Sequence, residues 1–201
     1  MVFGTIRTAP TVSVEALFTN EAMFTQDVIC NFHNVPIWAR ANPHAIREAR
    51  HQPTFSINVW AGIVGDRLIS PVRLPERLKG ITYREFLKRL KQDILPDMLN
   101  DVPLHLRVDM LFIHEGAPAH FSRIARQYLN DYFSGKWIGR NGPVEWPPRS
   151  PDLNPIDFYL WGHVKSEVHS KSFTNIDEVW ERIVATFGAI RKRPGQRERD
   201  R

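Results

Sequence analysis

Two carboxylates, Glu115 and Asp157, stand in stretches whose neighbours constrain the backbone: Glu115-Gly116-Ala117-Pro118-Ala119-His120, and Trp146-Pro147-Pro148-Arg149-Ser150-Pro151-Asp152-Leu153-Asn154-Pro155-Ile156-Asp157. Each acid falls at the edge of a different structural element. Glu115 closely follows residues 110–113, a continuous apolar run of the kind a strand covered on both faces shows. The C-terminal edge of a parallel strand is where α/β sheets bind ligands. The alternative is that Glu115 opens a turn into the next helix, with His120 near its start. Asp157 lies three residues after Asn154, which suits a helix cap followed by Pro155 at the first helical position. An acid there can bond back to free amides and complement the helix dipole. Asp157 also precedes Leu160 and Trp161 by three and four residues, so it shares their apolar face, where an unpaired charge is costly. A hard divalent cation held by both Glu115 and Asp157 would supply the missing partner. Two such ions about 3.5–4 Å apart activate a water or hydroxyl and stabilise the leaving oxygen of a phosphodiester. Holding two ions needs more than two acids, so a third is expected on the first strand.

The elements that must position these groups are read from periodicity. Residues 1–14 lack a convincing pattern and are expected to be loose. Residues 15–24 read as a strand, with Ala16, Phe18, Asn20 and Ala22 on one face and Leu17, Thr19, Glu21 and Met23 on the other. Further strands are predicted over 29–38, 55–64 (ended by Gly65-Asp66) and 68–74, an antiparallel meander. Thr82 is the expected N-cap of a helix carrying Tyr83, Phe86, Leu87, Leu90 and Ile94 on one stripe, ended or kinked near Pro96. Residues 110–113 should form a central strand, 122–133 a helix with Gly135 as C-cap, and 144–146 a short strand. A helix starting at Asn154-Pro155 continues through Val164 and Val168, and a last one spans 176–190. Strands first, then alternating helix and strand, give a mixed sheet with helices on its faces.

Composition fits one globular domain: 201 residues, 42% hydrophobic and 24% charged. No 18-residue apolar run and no signal-like opening segment are present, so neither a membrane partner nor export is expected. The one cysteine, Cys30, cannot form an internal disulfide. The formal net charge of +5 is concentrated in residues 191–201, whose six basic and two acidic groups supply all but one of those charges. That segment reads as a basic, disordered tail, with phosphate contact or nuclear targeting as weaker alternatives. Residues 15–190 form the domain. His114, His120, His163 and His169 are too scattered in sequence for a zinc framework. Trp60, Trp137, Trp146 and Trp161 read as core or loop anchors more readily than as base-stacking platforms.

The two acidic motifs resemble the catalytic core of mariner-type transposases and their Tc relatives, DDE/D superfamily endonucleases, whose motifs read Asp-Gly/Asn-Ala-Pro-x-His and Ser-Pro-Asp-Leu-x-Pro-x-Asp/Glu. Phe18-Thr19-Asn20-Glu21-Ala22-Met23-Phe24 is similar to the family's strand motif of Asp followed by Glu, and Ile57-Asn58-Val59-Trp60-Ala61-Gly62-Ile63, Asn42-Pro43-His44 and Trp137-Ile138-Gly139-Arg140 look like further family segments. The resemblance runs over about residues 15–190. It implies an α/β, ribonuclease-H-like fold with a three-strand antiparallel meander, parallel strands and flanking helices. It also implies Mg²⁺ or Mn²⁺ dependence and cut-and-paste DNA transposition in the nucleus. The family's three metal-binding acids fall on Asn20, Glu115 and Asp157.

Two of the three positions depart from the family's acids. Asn20 keeps an oxygen but loses the charge, and Glu115 adds a methylene that moves its carboxylate by on the order of 1 Å. Glu21 points to the opposite face of the strand and is not expected to substitute. Glu115 and Asp157 remain the metal-ligand candidates, with an impaired site and little or no cleavage expected. Arg123, Arg126, Arg140 and Arg149 near the acidic motifs are candidate phosphate contacts, a solvated surface being the alternative. Family members carry helix-turn-helix modules upstream, and this sequence begins shortly before Asn20. Base reading in the major groove is therefore not expected of this chain, and its DNA affinity should be weak, non-specific and salt-dependent. A second copy or an intact transposase is a further candidate partner, and no small-molecule substrate is expected. Three readings follow: a catalytically degenerate remnant, a surviving metal-dependent nuclease, or a domesticated non-catalytic module that binds DNA or protein.

Overall fold

The computed structural model describes residues 6–8, 12–14, 16–25, 55–100, 102–147 and 150–192. Ten residues of alternating inward and outward side chains form β3 (Ala16–Thr25), which pairs antiparallel with β4 (Ser56–Val64) along its length, from Leu17 opposite Val64 to Thr25 opposite Ser56. Gly65 turns the chain with φ of 55°, and β5 (Arg67–Leu68) and β6 (Val72–Leu74) both return along β4. The predicted 68–74 strand is thus two short pieces. The predicted strand over 29–38 lies outside the described residues. Before the sheet, β1 (Ile6–Thr8) and β2 (Val12–Val14) pair antiparallel, where the sequence showed no periodicity.

Parallel pairing begins with β7 (Leu111–Ile113), which sits beside β3 with Phe18 level with Ile113. The next strand, β8 (Trp137–Ile138), is parallel to β7. Sequence placed that strand at 144–146, but there only Val144 bridges, to Ile138. The six-stranded sheet runs β5-β4-β3-β7-β8 with β6 also on β4, so β3 and β7 are central.

Helices cover both faces. On one lie α1 (Gly80–Arg89) and α4 (Arg123–Phe133), with the α1 helix running on through a π-helical turn, Leu90–Ile94, into α2 (Leu95–Met98). The short α3 (Leu104–Asp109) leads into β7. The chain continues through Pro96 without stopping, as a proline at the second position of α2 allows. α1 starts earlier than predicted, after Lys79. Thr82 is inside it, and its Oγ1 accepts from the Lys79 amide at 2.8 Å, the returning half of a capping arrangement. α4 begins one residue later than predicted, with Ser122 as its cap, and its left-handed end falls on Ser134 (φ 48°) one residue before the expected Gly135 (φ 78°).

The second face carries a π-helical turn, Ile156–Trp161, then α5 (Gly162–Val168) and α6 (Ile176–Lys192). Two cores result. Leu17, Trp60, Tyr83, Leu87, Phe112, Leu129 and Trp137 fill the first, and Ala22, Phe24, Val59, Ala61, Leu160, Trp161, Ile183 and Phe187 the second. The alternation read in β3 therefore holds: Leu17 faces one helical layer and Ala22 the other. α6 ends on Arg191 and Lys192, so the basic segment begins within a helix. The Arg191 guanidinium donates to the Leu68 carbonyl at 3.0 Å and to Ser70 Oγ at 2.8 Å.

Candidate active site

Strand register brings the first two site residues together. Continuing the β3–β7 pairing two residues beyond Phe18 and Ile113 sets Asn20 level with Glu115. Thr19 Oγ1 reinforces that end of the sheet by donating to the Ile113 carbonyl at 2.7 Å. Asn20 is buried, and its Nδ2 donates to Glu115 Oε1 at 3.3 Å while its Oδ1 accepts from the Glu21 amide at 2.6 Å.

Asp157 completes the cluster from the opposite side. The Asn154 carbonyl accepts from the Asp157 amide at 3.0 Å, which starts the π-helical turn lying on β3. Asn154 Oδ1 accepts from the Ile156 amide at 3.1 Å, so the predicted Asn154 cap and Pro155 start hold. The Asp157 side chain lies within hydrogen-bonding reach of the Glu115 carboxyl. Its Oδ2 is buried and accepts no ordinary N–H or O–H donor. Burial, then the hydrogen bond and negative charge of Asp157, push the Glu115 carboxyl up to about 8 from an ordinary 4.5, against the pull of a hydrogen bond from Asn154. At neutral pH the Glu115 carboxyl therefore keeps its proton, because burial and the neighbouring Asp157 charge both disfavour its ionised form.

These atoms give a direct test of whether a divalent cation fits. An orphaned buried carboxylate oxygen beside a second carboxyl is a donor set for one hard cation. The third corner does not match: Asn20 turns an N–H donor, not an oxygen, toward Glu115, and its oxygen is already engaged by the Glu21 amide. Among the described residues no group of three or more His, Cys, Asp and Glu side chains is arranged to hold a metal ion. The residues fit one cation and not a pair.

Glu21 points away from this cluster, as strand alternation requires, into a polar pocket of the first core. Its Oε2 lies 3.1 Å from His120 Nε2, a close ion-pair contact off the line of a good hydrogen bond. His120 Nδ1 is 2.8 Å from the Glu115 carbonyl, so a protonated Nδ1 donates there. Burial pulls the His120 imidazole down, but the close Glu21 charge, helped by the Glu115 carbonyl, outweighs it and raises it on balance. Tyr83 stacks on His120 at 4.3 Å between ring centroids, and its hydroxyl lies 3.1 Å from His114 Nδ1. Burial and then the neighbouring His120 hold His114 well below the usual imidazole range. The structure thus brings together two histidines that sequence spacing kept apart. Tyr83, read only as part of an apolar stripe, belongs to the same network.

The arginines separate. Arg140 is exposed, its stem packs against Gly116 and its guanidinium lies 4.3 Å over the Phe121 ring, which places a cation beside the Glu115 turn. Arg123 is exposed at the first position of α4, while Arg126 Nε donates to the Phe121 carbonyl at 3.1 Å. Arg149 lies outside the described residues. Trp60, Trp137 and Trp161 are buried core residues, as expected.

Residues 33–180, about three quarters of the chain, match the protein family described as DDE superfamily endonuclease. The transposase of the transposable element Tcb2 from Caenorhabditis briggsae is 22% identical over 155 residues, covering 77% of this chain and 51% of that protein. The chain therefore spans about half the length of that relative. Among solved structures, a pre-cleavage Mos1 transpososome superposes with a TM-score of 0.60 at 18% identity, covering 87% of this chain and 48% of that one. The Mos1 transposase catalytic domain with raltegravir and Mn gives 0.58 at 16% identity, covering 87% and 70%. These likenesses show the fold, a ribonuclease-H-like mixed sheet flanked by helices.

Proposed function

Because this chain belongs to the DDE superfamily endonucleases and is a Tc/mariner-type DDE domain, we propose that it is a transposase-derived, DNA-binding domain that no longer cleaves. Its ancestral activity is metal-dependent DNA cleavage and strand transfer in cut-and-paste transposition, carried out in the nucleus. The observation that carries this reading is the third corner. Asn20 stands where the family pattern has Asp, and its amide is spent on Glu115 Oε1 and the Glu21 backbone. When bound, a pair of Mg²⁺ or Mn²⁺ ions supplies an activated oxygen nucleophile and neutralises the leaving oxygen. Here Glu115 and Asp157 would hold one ion between them, in place of the proton on Glu115. Losing one anionic ligand removes much of the attraction that a hard cation with few protein ligands depends on. The longer Glu115 side chain adds a second misfit, since Mg²⁺ requires near-ideal geometry at about 2.0–2.1 Å.

Support for DNA as partner is electrostatic and positional. Arg140 beside the Glu115 turn can meet a phosphate brought to the carboxylates. A Mos1 transposase of the same fold is described in a paired-end complex with a left transposon end, which favours DNA as partner here. An intact fold around an altered metal corner also favours a second reading, a domesticated binding module that keeps the scaffold without the chemistry.

Supercoiled plasmid nicking in Mg²⁺ or Mn²⁺ tests the proposal. The native chain should give no cleavage above background. The double variant Asn20→Asp/Glu115→Asp should gain metal-dependent nicking, and adding Asp157→Ala should remove it. Nicking by the native chain that Asp157→Ala abolishes would show a working nuclease and sink the degenerate reading.

A further inference from the structure

Asn154 is completely buried, with 0% of its surface exposed, and its hydrogen bonds join two segments, β3 and the turn that carries Asp157. Its Nδ2 donates to the Thr19 carbonyl of β3 at 3.2 Å. Its Oδ1 accepts from the Ile156 amide at 3.1 Å, and its own carbonyl accepts from the Asp157 and Phe158 amides at 3.0 and 3.4 Å. Thr19 adjoins Asn20, whose Nδ2 donates to Glu115 Oε1 at 3.3 Å. A helix cap needs only an oxygen, and Ser or Asp serve as well as Asn. The amide donors are surplus to capping. They join the residue before Asn20 to the start of the turn that carries Asp157.

We infer that Asn154 is a positioning residue for the carboxylate pair, setting the separation and relative orientation of Glu115 and Asp157 by tying the β3 edge, where Asn20 bonds Glu115, to the Asp157 turn through one buried amide. This rests on the proposed reading that Glu115 and Asp157 hold a divalent cation. Asn154 acts through their supports: its amide donates to the Thr19 carbonyl, and its oxygens accept from the Asp157 turn. Groups that orient metal ligands in this way typically change metal affinity 10- to 100-fold when removed.

Mn²⁺ binding to the whole chain, followed by electron paramagnetic resonance, separates positioning from capping. Asn154→Ser keeps a capping oxygen but has no amide and falls short of β3. It should fold, with a circular dichroism spectrum close to native and a melting temperature lowered by the bond lost to the buried Thr19 carbonyl, and bind Mn²⁺ about 10-fold or more weakly. Asp157→Ala should abolish the same binding. If Asp157→Ala weakens Mn²⁺ binding while Asn154→Ser does not, Asn154 is only a cap and the inference is wrong. If Asp157→Ala leaves Mn²⁺ binding unchanged, the metal reading itself is wrong. A second measurement on the native chain needs no variant that must fold: the Asn154 side-chain NH₂ resonances should shift with Mg²⁺ in step with the Glu115 carboxyl. Static Asn154 resonances while the Glu115 carboxyl shifts would overturn the inference.

Discussion

At the scale of single residues, Glu115 holds its proton beside the Asp157 charge, and that has a thermodynamic sign. The Glu115 carboxyl titrates at about 8 in the fold and near 4.5 when free, so between those values the folded chain holds more protons than the unfolded one. Stability should be fully present below about pH 4.5 on this group's account and should fall as pH rises toward 8. Urea unfolding at pH 5.5 and 8.5 should show that fall, and Glu115→Gln should reduce it. Carboxyl ¹³C NMR gives a sharper test, because Asp157→Asn removes the charge while keeping an oxygen that can accept a hydrogen bond. The Glu115 titration should then move down toward the ordinary range without reaching it, since burial, the largest cause, remains. An unmoved titration would mean the pair is not coupled. Both acids were legible in the sequence, since each sits in a motif of rigid neighbours. The direction of the Asn20 amide was not, because it depends on the Glu21 backbone and on Glu115, whose side chain comes from another strand.

At the scale of elements, close packing at glycine fixes the frame around the site. A Cβ on Gly139 would collide with the His114 ring and approach Trp137 Cζ3 to 3.0 Å, both buried groups of the first core. Gly139→Ala should cost about 1–3 kcal/mol in denaturant unfolding, the usual penalty for overpacking. It should also disturb the Tyr83–His114 contact, visible in the imidazole NMR signals. Ser122→Ala, which removes the oxygen accepting from the Ala125 amide, should cost about 1 kcal/mol by the same measurement. Long elements were the readable ones. β3, β4, α4 and α6 carry enough residues for a period to show, whereas β8 is two residues long and carries none. It forms because Trp137 and Ile138 pair with Phe112 and Ile113, a tertiary reason. Thr82 looked like a cap because its hydroxyl does bond a helix-start amide, but from inside the helix, back to Lys79.

At the scale of the whole molecule, charge and scaffold separate. Most of the net positive charge lies in residues 191–201, and Arg191 already spends its guanidinium on Leu68 and Ser70. Affinity for non-specific duplex DNA should fall steeply with salt, and deleting residues 193–201 should lower the slope of log affinity against log salt. Arg140→Ala should weaken binding to all sequences alike, by roughly one phosphate contact in that slope. A sequence-selective loss would contradict a phosphate role. The doubly covered sheet was foreseeable from strands followed by alternating helix and strand, and the two cores confirm it. What sequence could not supply is the state of the site at the centre of that scaffold, and one measurement reads it directly. Crystals of the native chain soaked in Mn²⁺ and measured at the manganese edge should show at most one anomalous peak, between Glu115 and Asp157. Two peaks about 3.5–4 Å apart would mean that the cation pair is intact and that Asn20 has not disabled the site.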